Sequence, residues 1–411
     1  MAKKQVVLLN FNYSRKQWVN LLKPIFTEEF EIHWISKVSP KEENSPLIKG
    51  HTFHYWDSYS NGFEVIDSIS PQAVIFMDIS SGLSISLNYA AKKRGIKTLY
   101  LQHGIFNEYA DYMLLENLQK QNKNLLDKDS AKSKFSTFHF LKKTLGFEGL
   151  LYNLQTIIYL LIARKRSYRK AAKLIKDKNR IPSYYLCYSL KNAQIHVQLD
   201  GEGVKDKVKI VGNPELEQFF EKSHNTLNLQ NKFQNFCLLI DQPLSGGDLG
   251  ESFITREKHI QLYIALAEKA KSAGMKLVVK LHPGNFKEDW HPVHDNIIWI
   301  REEYSIIELI KEAKICFGVY SAATILCFLS KPTVLIKFFD LKRFSYIEEN
   351  NLAQVVTFEE LLNDELLLPK LNSQNAFEVS SKVLQDYGWY GNPIYNQTLR
   401  KSLISDITDK L

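Results

Sequence analysis

The sequence has few cysteines, and none of them belongs to a CxxC pair. The four are Cys187, Cys237, Cys316 and Cys327, and each lies in an apolar stretch typical of a strand or a helix. Buried free thiols in a reducing compartment fit this pattern, whereas a disulfide framework or a cysteine-ligated zinc site does not.

Long apolar runs are also missing. No stretch reaches the roughly 18 apolar residues that a membrane-spanning helix needs. The nearest, GLLYNLQTIIYLLIA over 149–163, is interrupted by Asn153 and Gln155. The start, MAKKQVVLLNF, has an apolar run that is too short for a signal peptide. We therefore predict a cytoplasmic protein.

Two common nucleotide motifs are absent. The chain has no GxGxxG and no GxxxxGK[ST], so neither a dinucleotide fingerprint nor a P-loop is indicated. It also has no internal repeat and no low-complexity tract. A nucleotide site in this chain would need a different construction.

The composition is that of a globular protein with an excess of positive charge. Hydrophobic residues make up 45% and charged residues 24% of the 411 residues, which is long enough to favour two domains. The formal net charge of +8 indicates an anionic partner, such as phosphate groups, a nucleotide or an acidic lipid surface. No nucleic-acid-binding motif accompanies the charge, so we predict no nucleic-acid partner.

Strand and helix patterns alternate twice along the chain. The first series includes the strands QVVLLNF, EIHWIS, PQAVIFMDIS and IKTLYLQHG, and the second includes FCLLI, MKLVVK, NIIWI and ICFG. A helix is predicted over 15–30. This spacing predicts an α/β protein with parallel sheets, arranged as two Rossmann-like domains facing a cleft. We place the N-terminal domain at 1–220, with a basic helical insertion over about 117–180. The second domain follows at 221–375, and helices over 376–411 pack back toward the N-terminal domain.

Polar residues follow four of the predicted strands, where α/β proteins bind ligands. In LQHG, Gln102 and Gly104 flank His103, a side chain of the kind that titrates near neutral pH. In LLIDQPLSGGD, Asp241 and Gln242 follow a strand and precede Gly246 and Gly247, which permit close approach of backbone to a ligand. The alternatives are a turn histidine and an Asx turn.

The other two signals suit phosphate. In VVKLHPG, Lys280 and His282 alternate, so both side chains point to one side of the strand before Pro283 and Gly284. In VYSAATILCF, the hydroxyls of Ser321 and Thr324 lie at a strand-to-helix junction, where free N–H groups bind anions. The alternatives are a solvated edge-strand lysine and an ordinary N-cap.

Together these motifs resemble those of the GT-B glycosyltransferases. The chain is most similar to bacterial enzymes that use CMP-activated acidic sugars, namely sialyltransferases, polysialyltransferases and Kdo transferases. His282-Pro283 matches their His-Pro motif, and Ser321 with Thr324 matches part of their Ser-Ser/Thr motif. The acidic D/E-D/E-G motif that supplies the base in several of them is absent as such. LQHG with KLHP is also similar to the teichoic-acid polyol-phosphate transferases.

The resemblance implies an inverting transferase that moves an acidic sugar, sialic-acid-like or Kdo, from a CMP-activated donor to a cell-surface glycan. The glycan is that of a capsule, a lipopolysaccharide or a lipooligosaccharide. By the same resemblance, 1–220 is the acceptor-side domain and 221–375 is the nucleotide-sugar-binding domain. CMP is already a single phosphate, so no cofactor or metal is obligatory if Lys280, His282, Ser321 and helix N–H groups stabilise the departing charge. The alternatives are a CDP-polyol phosphotransferase and a non-catalytic nucleotide-sugar-binding scaffold.

Candidate site residues follow from the motifs and the resemblance. The predicted catalytic residues are Asp241, His103 and His282, with Asp241 slightly favoured as the base by analogy and its pKa expected to be raised by burial. The predicted nucleotide-sugar contacts are Lys280, His282, Pro283, Gly284, Ser321, Ala322, Ala323, Thr324 and Gln242. Gln102, Gly104 and Asn213 are predicted to contact the acceptor or to line the cleft.

A dense basic segment follows the longest apolar stretch. It comprises Arg164, Lys165, Arg166, Arg169, Lys170, Lys173, Lys176, Lys178 and Arg180. Such a segment can lie on an anionic membrane surface, where each basic residue contributes about 1 kcal/mol. We therefore predict peripheral attachment to the inner face of the cytoplasmic membrane, with a solvated helix face as the alternative.

Overall fold

A computed structural model describes most of the chain. The described residues are 4–11, 22, 25, 29–37, 48–105, 108–122, 137–221, 233, 235–245, 253–285, 289–319, 321–363 and 379–404. The helix predicted over 15–30 lies mainly outside them, and the residues Gly246 and Gly247 lie outside them altogether.

The strands and helices alternate as the sequence predicts. The strands are β1 (Gln5–Asn10), β2 (Phe30–Ser36), β3 (Thr52–Tyr55), β4 (Ala73–Phe76), β5 (Lys97–Leu101), β6 (Tyr184–Cys187), β7 (Val208–Ile210), β8 (Phe236–Ile240), β9 (Lys276–Lys280), β10 (Ile297–Ile300), β11 (Ile315–Gly318), β12 (Thr333–Lys337) and β13 (Gln354–Thr357). The helices are α1 (Gly62–Ile69), α2 (Gly82–Lys93), α3 (Tyr109–Asn122), α4 (Thr137–Tyr152), α5 (Leu154–Lys165), α6 (Tyr168–Leu174), α7 (Leu190–Asp200), α8 (Pro214–Glu221), α9 (Arg256–Ser272), α10 (Ile306–Glu312), α11 (Thr324–Phe328), α12 (Lys342–Glu349), α13 (Phe358–Asn363), α14 (Ser381–Asp386) and α15 (Tyr395–Ile404).

The chain forms two compact units. The first comprises 1–106, 130–214 and 385–411, and the second comprises 107–129 and 215–384. The start of the predicted helical insertion, including α3, therefore groups with the second unit, whereas α4, α5 and α6 group with the first.

The first unit is built on a seven-stranded parallel sheet in the order β3-β2-β1-β4-β5-β6-β7. Alternate residues of each strand are buried on opposite faces. Leu9 joins one apolar cluster, which includes Leu399 of α15, and Leu8 joins another, which includes Leu87 of α2. Because both faces are covered, the strands read as nearly continuous apolar runs.

The second unit has a six-stranded parallel sheet in the order β10-β9-β8-β11-β12-β13. Its central strand β8 is buried at every position. Helix α9 covers one face through Leu262, Leu266 and Ala270, which pack with Leu277 and Val279 of β9. Ser305 and Glu308 form a complete capping box at the start of α10.

Candidate functional site

In the second unit the polar loops lie around the point where the strand order reverses. The chain leaves β8, adds β9 and β10 on one side, and then returns to add β11 on the other side of β8. In open α/β sheets this is the place where ligands bind, beyond the carboxyl ends of the strands. The loops after β8 and β11 flank this point, and the turn after β9 is adjacent.

Asp241, the first residue after β8, accepts hydrogen bonds from several elements. Its Oδ1 atom accepts from the Tyr263 hydroxyl at 2.8 Å and lies 3.4 Å from His259 Nε2. Its Oδ2 atom accepts from the His282 backbone N–H at 3.2 Å and from Asn285 Nδ2 at 2.8 Å. The carboxylate thus joins the end of β8, helix α9 and the turn after β9.

The expectation of a raised pKa for Asp241 is wrong. Burial does raise the pKa of this carboxyl, but the hydrogen bond and the charge of His259, with the hydrogen bonds from Tyr263 and Asn285, outweigh it. The net pKa lies below its ordinary value. A low pKa and fully engaged oxygens make Asp241 a weak proton acceptor, so its geometry suits a positioning role.

The His-Pro motif forms a tight turn. Residues Pro283–Asn285 make one turn of 3₁₀ helix, closed by the Asn285 backbone N–H donating to the His282 carbonyl at 2.8 Å. His282 is half-buried and Pro283 is exposed. The turn therefore presents His282 at the carboxyl end of β9 while Asp241 holds its backbone.

Lys280 is engaged within the protein. Its ammonium donates to the Tyr304 carbonyl at 2.8 Å and also to the Arg301 carbonyl. Burial lowers the pKa of Lys280, an effect opposed by the charges of Glu303 and Glu302. These contacts hold the segment after β10, and a phosphate contact from the remaining N–H donor stays a prediction.

The segment 321–324 forms a hydroxyl-stabilised turn before α11. The Ala323 N–H donates to Ser321 Oγ at 3.3 Å, and the Thr324 hydroxyl donates to the Ser321 carbonyl at 2.6 Å. The Thr324 N–H also donates to that carbonyl, so two of the N–H groups predicted to bind phosphate already have acceptors. A Cβ on Gly318 would clash with Thr324 Cγ2, so a larger residue at 318 would have to displace the Thr324 side chain.

Gln242 and Ser245 belong to the loop after β8. Both are buried, and the Gln242 carbonyl accepts from the Leu244 N–H at 2.8 Å. Ser245 Oγ lies 2.8 Å from His259 Nδ1. The loop is therefore linked to Asp241 through His259.

In the first unit, Gln102 builds the loop that carries His103. Its Nε2 donates to the Gly104 carbonyl at 2.8 Å and to Asn192 Oδ1 at 2.5 Å, and its Oε1 accepts from the Tyr188 N–H at 2.9 Å. Gly104 has a φ of 73°, which glycine adopts without strain. Gln102 is buried by these contacts, whereas His103 is exposed.

Asn213 is fully buried and lies near the end of the 130–214 segment of the first unit. Its N–H donates to the Gly388 carbonyl at 2.9 Å, and its Nδ2 donates to the Tyr387 carbonyl at 3.2 Å. These bonds join the segment after β7 to the C-terminal segment. An acceptor contact from Asn213 stays a prediction.

Three polar residues near the candidate site of the second unit were missed in the sequence, namely His259, Tyr263 and Asn285. His259 falls on the apolar stripe of α9 with Leu262 and Leu266, and a histidine on such a stripe is the signal that could have found it. In the first unit, Asp78 follows β4 and accepts from the Ser80 N–H at 2.8 Å, beside the point where that sheet reverses its order.

The basic segment divides between surface and interior. Arg164, Lys165 and Arg166 are exposed. Arg180, in contrast, is buried and paired with Asp200, so its predicted place on a basic surface is wrong. The described residues contain no helix that is both long and apolar enough to cross a membrane. Within the same part of the chain, no cluster of three or more His, Cys, Asp or Glu side chains is arranged to hold a metal ion.

Solved structures share the fold of the chain. They include a glycotransferase of kitacinnamycin (TM-score 0.54, 9% identity, covering 98% of this chain and 100% of that one). The wall teichoic acid polymerase TagF has a TM-score of 0.53 and 12% identity, covering 99% of this chain and 89% of that one. A UDP-glucosyltransferase from Polygonum tinctorium has a TM-score of 0.51 and 11% identity, covering 98% of this chain and 99% of that one. At these identities the likeness shows the fold alone, which is the predicted GT-B α/β architecture with two Rossmann-like domains. No curated protein sequence matches the chain significantly.

A family model provides the more specific match. The model described as alpha-2,8-polysialyltransferase (POLYST) matches residues 14–327, about three-quarters of the chain, and this range includes the loops after β5, β8, β9 and β11. The predicted likeness to bacterial CMP-sugar transferases is confirmed. The chain therefore belongs to the alpha-2,8-polysialyltransferase family and is a glycosyltransferase.

Proposed function

We propose that this glycosyltransferase moves an acidic sugar, sialic-acid-like, from a CMP-activated donor to a cell-surface glycan with inversion at the anomeric carbon. The family match over residues 14–327 carries this proposal, because it extends across His103, Asp241, His282 and Ser321. The reaction forms a bond between the acceptor oxygen and the anomeric carbon. It breaks the bond from that carbon to the phosphate oxygen of CMP, which leaves with the bonding electron pair.

The second unit is proposed to hold the donor. The His282 side chain, at the end of β9, and the Ser321 hydroxyl, after β11, are the proposed contacts of the CMP phosphate. Both residues are half-buried, so they are accessible to a ligand and partly shielded from water. Hydrogen-bond donors fixed before the reaction stabilise a departing phosphate because they need no reorganisation.

We assign the acceptor proton to His103 rather than to Asp241. The Asp241 oxygens already accept three hydrogen bonds. Although burial raises the pKa of Asp241, its hydrogen bonds and the nearby His259 lower that pKa by more. His103 is exposed on a loop whose backbone Gln102 fixes through Gly104. An imidazole on a fixed loop can take the proton from an acceptor hydroxyl as the glycosidic bond forms.

Attachment to the inner membrane face is proposed for the first unit. Helix α5 buries Thr156, Tyr159 and Ala163 on one side. Leu154 and Leu161 are each more than half exposed, and Ile158 between them is also exposed. The basic residues 164–166 follow directly. An exposed apolar stripe beside positive charge is suited to an anionic lipid surface.

The donor assignment is tested by nucleotide binding and turnover. We expect CMP to raise the melting temperature more than CDP, UDP or GDP. His282→Ala should abolish the shift with CMP or reduce transition-state stabilisation by about 2–4 kcal/mol, as for one lost oxyanion donor. His294→Gln is the matched control, since His294 pairs with Glu268 in the same unit. Full activity of His282→Ala would contradict the assignment.

The two alternatives give different results in the same assays. A CDP-polyol phosphotransferase would prefer CDP and would turn over a CDP-polyol donor. A nucleotide-sugar-binding scaffold would bind a nucleotide but release none from a donor in the presence of a glycan acceptor. Either result would overturn the proposed reaction.

A further inference from the structure

His259 is buried at the centre of the polar contacts in the second unit. Its side chain is 1% exposed. The imidazole stacks on Tyr263 with ring centroids 4.7 Å apart and lies 5.2 Å from Trp290. His259 and Tyr263 are four residues apart on α9, so they project from the same face of the helix. The ring is therefore packed against two aromatic side chains.

The two ring nitrogens of His259 face different loops. Nε2 lies 3.4 Å from Asp241 Oδ1, and Nδ1 lies 2.8 Å from Ser245 Oγ. A carboxylate only accepts hydrogen bonds, so the hydrogen on Nε2 must point toward Asp241. The imidazole thus connects the loop after β8 to the carboxylate that holds the turn after β9.

Asp241 transmits this contact to the His-Pro turn. Its second oxygen accepts from the His282 backbone N–H and from Asn285 Nδ2, at the first and last residues of the turn. Displacement of Asp241 would break the hydrogen bonds to both ends of the turn. His259 Nε2 lies 3.4 Å from Oδ1 of this buried carboxylate, so removal of the imidazole would weaken the support of the whole turn.

We propose that His259 is a positioning residue, which holds the His282–Asn285 turn in its binding geometry by fixing Asp241 through Nε2. Its role in donor binding rests on the proposed function, whereas its effect on the turn does not. The side chain of His259 has no direct contact with the donor in this proposal. The Nδ1 contact with Ser245 is secondary for the turn.

Three substitutions at His259 distinguish the contacts of its two ring nitrogens from the packing of its ring. His259→Gln places an amide N–H near the position of Nε2 and retains the contact with Asp241. His259→Asn places its amide near Nδ1 and retains the contact with Ser245. His259→Phe retains the ring stack and loses both polar contacts. His294→Gln, which removes a surface imidazole from Glu268, is the control.

The measurement is amide hydrogen exchange at His282, together with CMP affinity by calorimetry. We expect His259→Phe and His259→Asn to accelerate exchange at His282 by about 10-fold or more, as for one lost hydrogen bond to a charged group, and to weaken CMP binding similarly. His259→Gln and His294→Gln should remain close to wild type. If His259→Phe does not fold, Tyr263→Phe removes the other Oδ1 donor and should accelerate exchange in the same way.

The outcomes separate this proposal from the proposed function. Unchanged exchange at His282 in both His259→Phe and His259→Asn would overturn the positioning role. Failure of His259→Gln to restore slow exchange would also overturn it, because packing rather than Nε2 would then be responsible. Accelerated exchange in a protein whose wild type binds no CMP would support the positioning of the turn and overturn the CMP assignment.

Discussion

The backbone N–H of His282 donates to Oδ2 of Asp241 at 3.2 Å, so a carboxylate at the end of one strand fixes the turn at the end of its neighbour. Residues 241 and 282 belong to separate loops, yet the parallel pairing of β8 with β9 brings their strand ends together. The turn that carries the His-Pro motif is therefore shaped by a residue outside the motif.

Asp241→Asn tests this relationship. The amide places an N–H₂ group where one carboxylate oxygen accepts hydrogen bonds, so at least one buried donor loses its acceptor. We expect a loss of about 1–3 kcal/mol in the free energy of unfolding at neutral pH, measured by urea denaturation. Asp340→Asn, at an exposed side chain that pairs with Lys337, is the control and should change little.

The pH dependence of the same variant has a definite sign. The folded state lowers the pKa of Asp241 below its ordinary value of 3.8. Its stabilising contribution is therefore present above that value and is lost as the pH falls through the lower folded pKa. The difference in unfolding free energy between wild type and Asp241→Asn should narrow in this acidic range. A constant difference would contradict the assignment.

His196 is expected to make the first unit sensitive to acid. Its ring contacts the rings of Tyr100 and Tyr185. Burial, with a smaller effect of the Arg180 charge, lowers the pKa of His196 from 6.5 to about 3. The unfolded state binds more protons in this range, so stability falls as the pH drops from 6.5 toward 3.

The measurement is the free energy of unfolding as a function of pH. Between pH 6.5 and about 3, His196→Phe should reduce the slope of the unfolding free energy against pH by up to about 1.4 kcal/mol per pH unit. His139→Gln, at an exposed position of α4, should leave the slope nearly unchanged. An unaltered slope in His196→Phe would contradict the neutral, buried state of this imidazole.

Gly318→Ala tests the packing beneath the Ser321 turn. The new Cβ would clash with Thr324 Cγ2, and overpacking of this kind costs about 1–3 kcal/mol. Thr324→Ser removes that methyl group, so the double variant should regain part of the lost stability. Gly203→Ala, where no heavy atom lies within 4 Å of the added Cβ, is the control. Additive losses in the double variant would argue against a steric clash.

The membrane proposal predicts salt-sensitive binding to anionic vesicles. Replacing Arg164, Lys165 and Arg166 together with alanine should weaken co-sedimentation by about 3 kcal/mol, since each basic residue contributes about 1 kcal/mol. The double variant Lys269→Ala/Lys271→Ala, which removes two positive charges from the second unit, is the control. Binding that resists salt, or equal loss in the control, would be inconsistent with attachment through this segment.

The fold was readable from the sequence because its signals are local. FCLLI and KLVVK are apolar because β8 and β9 are covered on both faces, and Ser305 with Glu308 forms a cap within four residues. The edge strands β3 and β13 were missed. Their sequences, TFHY and QVVT, are only partly buried and lack that continuous apolar pattern.

The candidate site was only partly readable because its contacts join distant segments. The motif at 282–283 indicates a functional turn. No pattern in the neighbouring sequence predicts that Asp241 binds the backbone of this turn, or that His259 contacts Asp241. Lys280 shows the same limit, since the carbonyls that occupy its ammonium lie in a segment more than 20 residues away. Arg180 was assigned to a basic surface because its partner, Asp200, lies in another segment of the chain.

The stereochemical course of sugar transfer tests the central proposal most directly. CMP-activated sialic acid labelled at its anomeric carbon would be incubated with a sialylated oligosaccharide, and the product would be followed by NMR. We expect release of CMP and a new glycosidic bond of inverted configuration, with His103→Ala reducing turnover by about 100-fold while CMP still binds. Transfer with retention, transfer only from a CDP-polyol, or no release of CMP would contradict the proposed reaction.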